Sequence, residues 1–147
     1  MTMHRRPLGR GRTLAALAGI LIVIGCALQW WQVGGTPDIT PLSGNGFAGA
    51  GILVFLVAIA AVALVALPYA AGDRPVGLDR WLTFAILTVA GWIGFAWRIV
   101  DLAIIGAFQF GEPADVLTHG PGVWLAGLGL VVLSRAVIEM AAEPARR

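Results

Sequence analysis

Residues 47–70 read FAGAGILVFLVAIAAVALVALPYA. There is no charge anywhere in the run. A helix needs about 20 consecutive apolar residues to cross the roughly 30 Å hydrocarbon core of a bilayer, at about 1.5 Å of rise per residue. This stretch therefore predicts a membrane span. It opens on Ala48, Gly49, Ala50 and Gly51, small residues that let a neighbouring backbone come close. Pro68, near its end, removes a backbone donor and loosens the last turn.

The same reading extends outward on both sides. Residues 13–31 form a second uncharged run, preceded by the basic segment 1–12 with Arg5, Arg6, Arg10 and Arg12. Residues 81–110 form a third apolar run, interrupted only by Arg98 and Asp101, and residues 121–140 a fourth that opens on Pro121 and carries Arg135 and Glu139 toward its end. Pro121 suits a first helical position, where its missing N–H costs nothing. The chain has 147 residues, of which 59% are hydrophobic and 12% charged. A soluble domain carries about twice that charge, and no polar stretch here is long enough to build one. These observations predict an all-α, membrane-embedded four-helix bundle. The expected spans are 13–31, 47–70, 81–100 and 121–140, with a short tail at 141–147.

The short charged turn 72–80 makes the second and third spans an antiparallel hairpin. The Gly- and Pro-rich stretch 32–46 reads as a loop. A single helix over 81–110 would be about 45 Å long, more than the core needs. The third span is therefore expected to leave the hydrocarbon near Arg98. Residues 102–110 would extend the helix or lie on the outer membrane surface.

An internal repeat supports that placement. Residues 20–25 (ILIVIG) align with 86–91 (ILTVAG), which sets Trp31 on Trp97 and Gln32 on Arg98. Residues 49–54 (GAGILV) align with 127–132 (GLGLVV). The chain then reads as two tandem helical hairpins; the alternative is coincidence among abundant apolar residues. Trp30 and Trp31 are expected to anchor the first span at the interface, and Trp97 would do the same for the third.

A basic start followed by an apolar run also describes a signal peptide, and Val23–Cys26 resembles a lipoprotein cleavage box. The run continues past Cys26 to Trp31, which favours a retained span. Arg5 and Arg6 lack the rest of a twin-arginine signal. Nine of the ten arginines flank the spans on the side of both termini. By the positive-inside rule both termini are expected in the cytoplasm. Arginine without any lysine, amid abundant Ala, Gly, Val and Leu, suits a GC-rich bacterial genome, so the expected location is a bacterial plasma membrane.

Within the third span Leu87, Gly91, Gly94, Arg98 and Asp101 fall on one helical face, while Trp92, Ala96 and Ile99 fall on the other. The small face suits contact with another helix. Arg98 and Asp101, spaced i,i+3, can pair on that face. Charges inside a membrane suggest an ion or substrate site; at interfacial depth a structural ion pair is the favoured reading. Arg135 and Glu139 read as a solvated pair at a helix end. Asp38, Glu112, Asp115 and His119 belong to the outer loops, where Asp115 and His119 are weak candidates for a polar ligand. One cysteine and two distant histidines predict no metal site. The Gly-rich stretch 42–51 lacks the lysine and the strand of a phosphate loop. No nucleophile with a base and no cofactor motif is present, so no catalytic residue, no cofactor and no nucleic-acid partner is expected.

Trp30-Trp31 followed by PLSGNGFAGAG at 41–51 resembles small uncharacterised four-span membrane proteins of Gram-positive-like and related bacteria. The resemblance implies a four-span fold and carries no activity. It differs from the small multidrug exporters, whose first span keeps an acidic residue that 13–31 lacks. The expected role is a structural or accessory membrane component in the lipid bilayer, with a membrane-protein partner or a homo-oligomer. The alternative is a small transporter or ligand-binding subunit using Arg98, Asp101 and the outer loops.

Overall fold

A computed structural model describes residues 9–34, 37–38, 40–70, 81–107 and 120–143. Among them lie four helices: α1 Arg10–Ala27, α2 Gly51–Ala70, α3 Trp81–Ile104 and α4 Pro121–Ala142. Each is long and apolar enough to cross a membrane. The chain is thus a multi-pass, all-α membrane protein built as a four-helix bundle. The helices measure about 27, 30, 36 and 33 Å at 1.5 Å per residue. Each packs antiparallel on its neighbours around a ring, α1 beside α2 and α4, and α3 beside α2 and α4.

Helices α1 and α4 meet backbone on backbone. A Cβ on Gly25 would stand 2.5 Å from the amide nitrogen of Ala126, and one on Gly122 would stand 2.5 Å from the carbonyl oxygen of Gly25. Lower on the seam, Gly129 faces Ile22 and Gly11 faces Met140. Lipid tails are as apolar as leucine, so the association of helices in a membrane rests on such close van der Waals contact. Ala15, Ala18, Ile22, Ala126, Leu130 and Leu133 fill the core along this seam, all without solvent exposure.

The first helix stops at Ala27, four residues short of the expected Trp31, and the chain enters a small antiparallel hairpin. Its strands are β1 Gln29–Val33, which takes in the end of the expected first span, and β2 Leu42–Asn45, within the stretch expected to be a loop. Gln29 pairs with Asn45 and Trp31 with Gly44, so the ladder slips at Trp30. Such a bulge turns one side chain out of the strand's alternation. Trp30 thereby points into the bundle and is fully buried, not an interfacial anchor as expected. The end of α1 explains its place. A helix leaves its last four carbonyls without intrahelical partners, and a membrane protein must satisfy them internally. The Leu28 amide donates to the Ile24 carbonyl, the Trp30 indole N–H to that of Gly25 (2.9 Å), and the Gly46 amide to that of Cys26.

The third helix runs two turns past Trp97. The repeat register thus equates a strand residue, Trp31, with a mid-helix residue, and the two ends are built differently. Helix α3 finishes in a paired cap, with the amide of Gly106 (φ +70°) on the Ala103 carbonyl and that of Ala107 on the Leu102 carbonyl. Leu102 and Ala107 are both buried, the apolar contact that accompanies this cap. Residues 102–104 are therefore a helical extension, with Leu102 buried and Ala103 and Ile104 exposed; 108–110 and the turn 72–80 lie outside the described residues.

Candidate functional site

The inward face of α3 carries Phe84, Thr88, Gly91, Gly94, Arg98 and Leu102. Gly91 receives Leu130 of α4 and Val57 of α2, and Gly94 receives Leu53. The small positions thus bring α3 close to both neighbours and carry Arg98 inward on the same stripe.

Arg98 lies six residues beyond Trp92, about 9 Å along the helix toward the hairpin end. Its Nη1 donates to Oδ2 of Asp101 at 2.6 Å. The two side chains differ sharply in exposure, 8% for Arg98 and 47% for Asp101. What covers Arg98 is the turn leading into α2. Gly49 has φ +58°, and a Cβ there would stand 3.0 Å from Arg98 Nη1 and 3.8 Å from Asp101 Oδ2. Any side chain at Gly49 would be strained in φ and would press on the ion pair. The turn itself is set by Asn45, whose Oδ1 accepts from the Phe47 amide at 3.1 Å. Arg98 Nε is buried without a partner among the described residues.

A row of aromatic rings runs beside this pair. Trp30 meets Phe95 edge-on with centroids 5.8 Å apart, and Phe95 meets Trp92 at 5.9 Å. Trp92, which helical spacing sets on the face opposite the small one, is part-exposed and donates its indole N–H to Ser134 Oγ of α4 at 3.0 Å. Ser134 in turn donates to the Leu130 carbonyl. This polar link between α3 and α4 joins residues 42 apart, so no local spacing announces it.

No family model matches the chain, and no curated protein or solved structure matches it. The geometry alone therefore bears on its chemistry.

Of the remaining candidates, Arg135 Nη2 donates to Glu139 Oε1 at 2.6 Å as an exposed pair near the end of α4. Asp38 is exposed beside the hairpin. Asp115 and His119, like Glu112, lie outside the described residues. Cys26 is a free, buried thiol. Among the described residues no three His, Cys, Asp or Glu side chains come together. The concavity between α1 and α2, about 360 Å³, is lined by Ile20, Val23, Ile24, Ile59, Val62 and Ala63 and offers no polar group.

Proposed function

We propose that the chain is a structural or accessory component of a bacterial plasma membrane, with no catalytic step of its own. Both termini are cytoplasmic in this reading, and the partner is another membrane protein or a second copy of the chain. The observation that carries it is the way Arg98 is occupied: its guanidinium is bonded to Asp101 one turn on and covered by the Gly49 turn. A substrate-binding arginine is held open to its ligand; this one is paired within α3 and packs against the turn before α2.

Substitution of the pair tests the reading. Asp101→Leu strands a buried guanidinium and should cost about 3 kcal/mol, the low end for breaking a buried pair, because water reaches the Asp101 side. Arg98→Leu leaves a carboxylate that water solvates and should cost about 1 kcal/mol. The double change should melt above Asp101→Leu alone.

A second reading rests on the half-exposed Asp101 and the unpartnered Arg98 Nε: a small transporter or ligand-binding subunit using this pair. It predicts single variants that melt like the parent protein in detergent, and that outcome would replace the structural reading. Orientation is tested separately. On a Cys26→Ser background, single cysteines at Asp38 and Asp115 should react with an impermeant thiol reagent in whole cells, and one at Asp73 should not.

A further inference from the structure

The outer faces of three helices are marked at both ends by groups that avoid hydrocarbon. On α3 the marks are Trp81 and Trp97, exposed at 50% and 70%. Trp30 is packed inside the bundle, but these two indoles face outward. An outward indole has an apolar body and one N–H donor, and settles at the level of the lipid headgroups. From 81 to 97 the helix axis rises about 24 Å, and any tilt shortens the projection of that rise on the bilayer normal. Between the two marks Leu82, Ile86, Val89 and Ile93 are exposed and apolar.

On α4 the marks are the half-exposed Trp124 and the ion pair of Arg135 and Glu139. Arg135 stands about 16 Å along the axis from Trp124, and Glu139 about 22 Å. On α1 they are Arg12 and the strand that follows Ala27, where Gln29 donates to Gln32. From 12 to 27 the rise is about 22 Å. Helix α2 has no charge and sets no limit of its own. Three helices thus agree on an apolar band shorter than the helices that carry it.

The spacings disfavour a hydrocarbon layer of average depth. In a layer of about 30 Å beginning at Trp124, Arg135 would stand near mid-depth with its side chain 62% exposed. A layer of about 24 Å lets its stem carry the guanidinium to the far boundary. A layer matched to the whole of α3, about 36 Å, would draw Trp97 and the half-exposed Asp101 into hydrocarbon, where an ionised group is costly.

We propose that the bundle fits a hydrocarbon layer of about 24 Å, and that its outer faces select phospholipids with short acyl chains. A bilayer of longer chains must thin around such a protein, or the protein gathers shorter chains from a mixture.

The test reconstitutes the full-length chain in dimyristoleoyl-, dipalmitoleoyl-, dioleoyl- and dierucoyl-phosphatidylcholine, which differ in chain length alone. The protein should melt highest in the dipalmitoleoyl lipid and several degrees lower in the dierucoyl lipid. Lipid retained on purification from an equimolar mixture of those two should be enriched in the shorter. A flat series, a maximum at dierucoyl, or retained lipid of unchanged composition would overturn the proposal. Depth is read independently with a spin label at Val89→Cys or Val100→Cys, both exposed positions, on a Cys26→Ser background. In dioleoyl vesicles Val89, midway between the two tryptophans, should report the midplane. Val100, past Trp97, should meet a water-soluble relaxation agent at the headgroups. A Val100 label inside the hydrocarbon fits the layer matched to all of α3 and equally sinks the proposal. Should the Cys26→Ser background fail to fold, the lipid series on the parent protein decides alone.

Discussion

The α1–α4 seam and the two interfaces of α3 solve the same problem in different materials. On the seam, glycine faces backbone: Gly25 meets the amide of Ala126, and Gly122 meets the carbonyl of Gly25. On α3, glycine faces side chains: Gly91 meets the Leu130 methyl and Gly94 meets Leu53. Polar links then add to α3's hold, Trp92 to Ser134 on one side and the Arg98–Asp101 pair beneath Gly49 on the other. A side chain can change rotamer to admit an extra methyl group. A backbone amide fixed in its own helix cannot. The seam should therefore be rigid and intolerant of substitution, and the α3 contacts should be adjustable.

The largest effect that would expose this difference is at Trp30, which plugs the hairpin end of the seam. Trp30→Ala removes a fully buried ring and should cost about 4 kcal/mol in a reversible unfolding titration in mixed micelles. Trp30→Phe keeps most of the ring but leaves the Gly25 carbonyl without its donor, a cost of about 1 kcal/mol. A Trp30→Phe variant as unstable as Trp30→Ala would mean that the hydrogen bond, not the packing, holds the plug.

Paired glycine substitutions come next. Gly25→Ala forces the two backbones apart and should cost about 3 kcal/mol, the upper part of the range for overpacking. Gly91→Ala meets the far end of Leu130, which can move, and should cost about 1 kcal/mol or less. Equal losses at the two positions would erase the contrast between backbone and side-chain contact. The smallest effect is at the polar link. Trp92→Phe should cost about 0.6 kcal/mol, the average for a hydrogen bond between helices in a membrane. Ser134→Ala should do the same, and the double change should cost little more than either.

How far the sequence could be read follows the same division. The helices were legible because apolar runs of about 20 residues with at most two charges have few other uses. The Arg98–Asp101 pairing was legible because i,i+3 spacing places both groups on one face. The clasp over that pair was not: Gly49 reads as one more small residue, and only its positive φ marks the turn that covers Arg98. The hairpin was obscured by its own composition, since Gly44 and Asn45 are poor strand formers and Gly34, Pro37 and Pro41 mark loops. The double tryptophan misled for a physical reason. Interfacial anchoring and burial both favour an amphipathic ring with one N–H donor, and a bulge that reorients Trp30 leaves no local signature. The repeat register inherited that error, because it equated Trp31 with Trp97 on the assumption that both end a helix.

Among the described residues the closest seam joins α1 to α4. Gly25 and Ala126 are about 100 residues apart along the chain, whereas the contacts of α2 with α1 and α3 link neighbours in sequence. A ribosome making this protein delivers α1 into the bilayer long before its best partner exists. Until α4 arrives, the face bearing Gly11, Gly25 and Ala18 has only lipid against it. Local hairpins can form early, but closure of the ring waits for α4, and contacts so distant in sequence close slowly. Assembly of this bundle is thus gated at α4. A nascent chain stalled before residue 121 is a set of inserted helices without the contact that makes them a single fold.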